Sequence, residues 1–172
     1  MRHAHARTNA DDAVSSTPPG AGLTEQGVAE ALALREALAG PELDLGVATR
    51  LVRAQETLEL ALGEREVPRI VFAGLDEIGF GAFEGGSLAA YRAWAWSHPP
   101  DAPCPGGGES RAEAAARYAD ALDGLLARPE DVVLAVSHSL AVRYVLDVIR
   151  GERMRLRGWA RAPVFADARE GG

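Results

Sequence analysis

The sequence predicts an α/β fold: one three-layer α/β/α domain with a mostly parallel sheet and helices on both faces. Three observations carry this expectation. Short runs rich in Val, Leu and Ile alternate with longer segments of helical periodicity, the pattern of strand–helix–strand units. The 172 residues, 47% of them hydrophobic, suffice for one compact core. No internal repeat or linker divides the chain, so residues 1–172 read as a single domain.

The elements follow in order. After the opening MRHAHARTN, the stretch DDAVSSTPPGAG is rich in turn formers and predicts no regular structure. LTEQGVAEALALREALAG reads as a helix capped by Thr24, with Val28, Leu32 and Leu38 at helical spacing and Gly40-Pro41 ending it. LDLGVAT is a short buried strand, and RLVRAQETLELALG a second helix closing at Gly63. PRIVFAG is another strand. An aromatic-rich helix lies in EGGSLAAYRAWAWSHPP and stops at the double Pro. Ser110 and Glu113 form a capping box for a long helix over about residues 111–127. DVVLAV, four of whose six residues are Val or Leu, is the clearest buried strand. SHSLAVRYVLDVIRG follows it as a helix, and RAPVFAD reads as a last strand.

Composition excludes several chemistries. Net charge is −7, against a nucleic-acid partner, which would be met by a basic face. All 18 basic residues are Arg and none is Lys. That removes Schiff-base and pyridoxal-phosphate chemistry and the lysine of a P-loop. A phosphate or carboxylate must then be held by Arg, His or backbone N–H groups. Cys104, the single cysteine, rules out disulfides within the chain and cysteine-based zinc clusters, and its chemistry fits a small buried side chain. No apolar run approaches ~18 residues and the N-terminus lacks an apolar signal core, so the expectation is a soluble, cytoplasmic protein without a membrane partner.

Two of the reactive candidates follow predicted strands. His138 follows a buried strand directly and opens a helix, where free N–H groups and the helix dipole favour an anion. Arg53 stands early in the helix after another strand, and Arg2-His3 opens the chain. RHAHARTN, TRLVRAQET, LDEIGFGAFEG, PGGGES and VSHSLAVR occur in this order over nearly the whole chain. Together they resemble the histidine phosphatase superfamily, the phosphoglycerate-mutase-like proteins, and in particular its small broad-specificity phosphatases.

The resemblance implies a role for each matched residue. Arg2, His3 and Ala4 stand for the family's Arg-His-Gly opening, with His3 as the nucleophile that becomes phosphorylated. Asn9 matches a phosphate-contacting asparagine, Arg53 and Thr57 the arginine and threonine of an RAxxT motif, Glu77 the proton donor and His138 the second pocket histidine. Ala4 and Ser139 replace glycines common in the family, while His5 and Ala6 stand where many members carry an acid or amide followed by a hydroxyl. Glu84 and His98 read as structural and loop-surface residues, and Glu109-Ser110 as neighbours of the site.

The implied function is metal-independent hydrolysis of a small-molecule phosphate ester through phospho-His3. It needs no cofactor, no metal-ligand spacing is visible, and a homodimer is compatible with the sequence. The alternatives are a phosphoglycerate-type mutase, a phosphohistidine protein phosphatase, and an inactive binding domain of the same fold. The resemblance also implies a buried strand of about 5–6 residues ahead of Arg2-His3. No residues for it are present, so the expectation is a domain truncated at its first strand, with Met1 an internal residue.

Overall fold

A computed structural model describes residues 1–40 and 42–149. In chain order the elements are α1 (Arg7–Ala10), α2 (Glu25–Ala37), β1 (Leu45–Ala48), α3 (Val52–Leu62), β2 (Arg69–Val71), α4 (Leu88–Ser97), α5 (Arg111–Leu126), β3 (Val133–Val136) and α6 (Ser139–Ile149). The three strands form a parallel sheet in the order β2-β1-β3, with Val47 opposite Ile70 on one side and Ala135 on the other. Every residue of β1 is buried, as expected for a central strand covered on both faces.

Alternation along β3 shows how the layers sit. Leu134 and Val136 pack with Ala54, Leu58 and Leu62 of α3. Ala135, pointing the opposite way, packs with Tyr118 of α5 and with Leu140 and Tyr144 of α6. Helices therefore cover both faces, and the α/β fold read from the sequence is the fold observed. Thr24 caps α2 by accepting from the Gly27 N–H, and Ser110 and Glu113 cap α5 reciprocally. Gly63 ends α3 with φ of 57°, a conformation that suits glycine.

Four details differ from the sequence reading. The opening, for which no element was expected, contains the short helix α1 just before the turn-rich stretch. Helix α2 ends at Ala37, before Gly40. Its buried face is Gly27 and Ala31, while Val28 and Leu32 are exposed. The reason is close approach: the His5 carbonyl accepts from Thr24 N and Thr24 Oγ1, and Glu30 accepts from His5 N, so only small side chains fit between α2 and residues 4–6. Finally, β3 is half-buried over Val133–Ala135 and fully buried only at Val136. Among the described residues its second edge is paired only near its carboxyl end, where Ser137 N donates to Met1 O and His3 N to Ser137 O, at 2.8 and 2.9 Å. The expected strand in RAPVFAD lies outside the described residues. No described helix is long and apolar enough to cross a membrane.

Two helical glycines give opposite expectations. A Cβ on Gly27 would overlap the His5 carbonyl oxygen, whereas one on Gly124 meets nothing nearer than Phe72 Cζ at 3.8 Å. Gly27→Ala should lower stability by about 1–3 kcal/mol, because backbone must move. Gly124→Ala should raise it by about 0.5–1 kcal/mol through helix propensity. Denaturant midpoints of the two variants check both signs.

Candidate active site

The carboxyl edge of the parallel sheet gathers the chemistry, as it does in open α/β folds generally. Residues 1–3 run parallel to the end of β3, and the Arg2–Ser137 bridge brings His3 beside His138. Their ring centroids are 5.2 Å apart, at 58° to one another. From β1 the chain passes through Thr49 into α3, whose first turn carries Arg53. From β2 it passes through a single 3-10 turn, residues 73–75, into the loop that carries Glu77.

Arg53 is the centre of the cluster. It is buried, and its Nε donates to His3 Nε2 at 3.2 Å. Its Nη2 donates to the Ser15 carbonyl at 2.8 Å and lies 3.3 Å from His138 Nδ1. One turn on, Thr57 Oγ1 donates to the Arg53 carbonyl and accepts from Ala4 N, tying α3 to the segment that bears His3. Arg53 and Thr57 thus share the buried stripe of α3 with Ala54, Leu58, Ala61 and Leu62.

The bonds also set the tautomers. His3 Nδ1 lies 2.7 Å from the Ala4 carbonyl, which can only accept, so the proton is on Nδ1. The Nε2 lone pair is left to face Arg53. His138 Nδ1 faces an arginine donor and is therefore an acceptor, and its Nε2 is 2.9 Å from Thr49 Oγ1. Burial, then the charges of Arg53 and Arg2, push the His3 imidazole down to about 3. His138 is held well below the ordinary histidine value, first by burial and then by His3, Arg53 and Arg2. Both rings are neutral at neutral pH.

Glu77 behaves in the opposite sense. Burial raises its carboxyl, against the lowering effects of Arg53, the Ile78 N–H bond, Arg2 and Arg117. Its Oε1 accepts from Ile78 N at 3.1 Å, and Oε2 lies 3.9 Å from His138 Nδ1. Of the two candidate phosphate-binding arginines, Arg2 Nε and Arg53 Nη1 are buried with no hydrogen-bond partner among the described residues. Such orphans cost about 1–3 kcal/mol each, which an anion with several acceptor oxygens would recover.

Of the residues singled out in the sequence, His3, Arg53 and His138 meet directly. The charges of Arg2 and Glu77 act on the same cluster. Asn9 is bonded elsewhere: its Oδ1 accepts from Ala6 N at the start of α1. That uses the carboxamide oxygen and none of its N–H donors. Glu84 holds the loop bearing Ser15 by accepting from Ser16 N, Ser16 Oγ and Thr17 N. His98 is exposed and stacks on Trp94. Sequence reading missed Thr49 and the Ser15 carbonyl. Thr49 ends a strand beside Arg53, a positional signal that could have found it; a backbone carbonyl leaves no trace in side-chain chemistry.

The depressed imidazoles make stability depend on pH. An unfolded histidine binds a proton near pH 6.5, while folded His3 binds one only near pH 3. Between those values the unfolded state holds more protons, so stability falls as pH falls, by about 1.4 kcal/mol per pH unit for each such ring. The raised Glu77 carboxyl has the opposite slope, at and above the ordinary carboxylate range. His3→Gln should flatten the decline in the denaturant midpoint between about pH 6 and 4. An unchanged slope would contradict the buried neutral imidazole.

Comparison with known proteins agrees with this fold. An alpha-ribazole phosphatase from Shigella flexneri superposes with a TM-score of 0.78 at 26% identity, covering 89% of this chain and 79% of that one. Bacillus stearothermophilus YhfR gives a TM-score of 0.77 at 25% identity, over 89% and 79% of the two chains. The adenosylcobalamin/alpha-ribazole phosphatase of Escherichia coli is 34% identical over 84 residues, 49% of this chain. That match spans only 41% of the curated relative's length. The family model of the histidine phosphatase superfamily, branch 1, matches residues 1–163, nearly the whole chain, and the chain belongs to that superfamily.

Proposed function

We propose that the protein hydrolyses phosphate monoesters through a phosphohistidine on His3. The observations that support this most directly are an uncharged His3 Nε2 oriented towards Arg53 Nε, and two buried guanidinium nitrogens, Arg2 Nε and Arg53 Nη1, with no hydrogen-bond partner among the described residues. A phosphoryl dianion supplies the acceptors those donors lack, and places its phosphorus against the imidazole lone pair.

In the first step His3 Nε2 attacks phosphorus, the P–O ester bond breaks, and its electron pair leaves with the oxygen. The protonated Glu77 carboxyl gives its proton to that oxygen, releasing the alcohol. In the second step water attacks the phosphohistidine while Glu77, now a carboxylate, takes its proton. The P–N bond breaks, returning inorganic phosphate and the neutral imidazole. Arg2 and Arg53 balance the charge of the transferring group, and Asn9 offers its carboxamide N–H donors. His138 is neutral in the empty site, and an arriving dianion favours its protonated form, which makes Nδ1 a further donor. Two arginines and a protonated histidine meet the charge that a metal ion would otherwise meet, so the reaction is metal-independent. The substrate class is a small phosphate ester; alpha-ribazole phosphate, named for two of the relatives, belongs in the first substrate panel.

His3→Ala should abolish turnover and acid-labile labelling by phosphate. Glu77→Gln should slow turnover by roughly 100- to 10,000-fold while still allowing some labelling. Full activity in His3→Ala would end the mechanism. Wild-type activity should also survive a chelator and be blocked by vanadate. Loss in chelator that Mg²⁺ or Zn²⁺ restores would point instead to a metal-dependent hydrolase.

A further inference from the structure

The loop that carries Glu77 has no ladder of its own beyond its opening 3-10 turn, yet the position of its carboxyl decides where the proton goes. Arg50 and Ser137 hold its start, through Asp76 and the Leu75 carbonyl, and a single side chain of α5 spans the carbonyls around Glu77 itself. Arg117, on α5, donates from Nη1 to the carbonyls of Gly74 and Asp76 at 3.0 and 3.1 Å. Its Nη2 reaches the Glu77 carbonyl at 3.5 Å and Glu109 Oε2 at 2.7 Å, and its Nε donates to Glu109 Oε1 at 2.7 Å. A guanidinium has five N–H donors, and all five are spent here.

Glu109 closes the arrangement. Its Oε2 also accepts from Gly79 N at 2.8 Å, and its own N–H donates to the Gly79 carbonyl at 2.9 Å. The pair therefore grips the loop on both sides of Glu77, at residues 74 to 77 and at 79. The guanidinium carbon lies 4.7 Å over the ring of buried Tyr118, which fixes the fork against α5. A Cβ on Gly74 would come within 2.8 Å of Ala121 Cβ, so the loop is also registered sterically on that helix.

We propose that Arg117, braced by Glu109, is the positioning residue that fixes where the Glu77 carboxyl delivers its proton. It acts through backbone carbonyls and touches no reacting atom. The inference rests on the reading of Glu77 as the acid. A lysine keeps the charge but has three donors from one nitrogen, and it does not reproduce a planar fork.

The test is leaving-group dependence. An alkyl phosphate needs its leaving oxygen protonated, whereas dinitrophenyl phosphate releases a stable anion without help. Arg117→Lys should lower kcat on the alkyl ester by on the order of 10- to 100-fold, the cost of a misplaced group. KM on that ester should stay near wild type, and so should the burst rate of dinitrophenolate release, which reports the first step alone and needs no proton from Glu77. Glu109→Gln, which removes the brace and leaves Arg117 in place, should shift the ratio in the same direction and carries the test if Arg117→Lys fails to fold. Adding Arg117→Lys to Glu77→Gln should change the ratio no further. Equal losses on both esters would reduce the clamp to ordinary scaffolding and overturn the proposal. If Glu77→Gln shifts the ratio and neither clamp variant does, only the proposal falls. If Glu77→Gln itself leaves the ratio unchanged, the acid assignment falls and the proposal with it.

Discussion

Arg53 is the group on which the site depends. It lies between two neutral imidazoles, donates to one, faces a ring nitrogen of the other, and also holds the Ser15 carbonyl. A buried cation without a carboxylate partner in direct contact is costly unless its N–H groups are occupied. Here three contacts occupy part of the fork, and one nitrogen, Nη1, has no partner among the described residues. The surrounding fold supplies what keeps it there. Thr57 joins the Arg53 turn to Ala4, and Leu58 and Leu62 from the same helix anchor it in the core. Packing energy of α3 thereby stabilises a polar cluster that would not form by itself.

The charges are arranged so that the empty site is poised for an anion. Burial depresses both histidines, and the charges of Arg53 and Arg2 add to it, so both rings are neutral while the site is empty. Glu77 is the nearby acid, and burial favours its protonated form against those same arginines. An uncharged base beside a protonated acid is the combination that nucleophilic transfer with leaving-group protonation requires. Both shifts have burial at the carboxyl edge of the sheet as their first cause.

Different layers deliver the parts. β1 and β3 bring Thr49, Ser137 and His138 to one edge, residues 1–3 add His3 alongside, and α3 supplies Arg53 from one face. Glu77 comes from a loop that belongs to neither face and is held from α5 through Arg117 and Glu109. Asp76, next to it, is buried and pairs with Arg50 at 2.6 Å, which ties the same loop to the turn after β1. The loop is therefore fastened from both the strand side and the helix side, and the sheet's regular geometry is passed on to an irregular segment.

By itself the sequence determined the elements and named most of the candidate site residues. Apolar runs and helical periodicity follow from local geometry, so β1, α3, β3 and α6 could be read from a few residues each. The capping boxes and turn glycines that mark their ends are equally local. Arg53 and His138 were legible as polar residues just past strands, whereas His3 and Glu77 were legible only through the ordered motifs that resemble the family. Tertiary structure decided which face of α2 is buried: Gly27 and Ala31 rather than Val28 and Leu32, because the His5 carbonyl approaches too closely for larger side chains. It also decided how far β3 is covered, since burial depends on a neighbour distant in sequence. The tautomers, the unmet arginine donors and the Arg117–Glu109 clamp belong to the same class. Each is a relation between residues dozens of positions apart, and hydrogen-bond geometry exists only once the chain has brought them together.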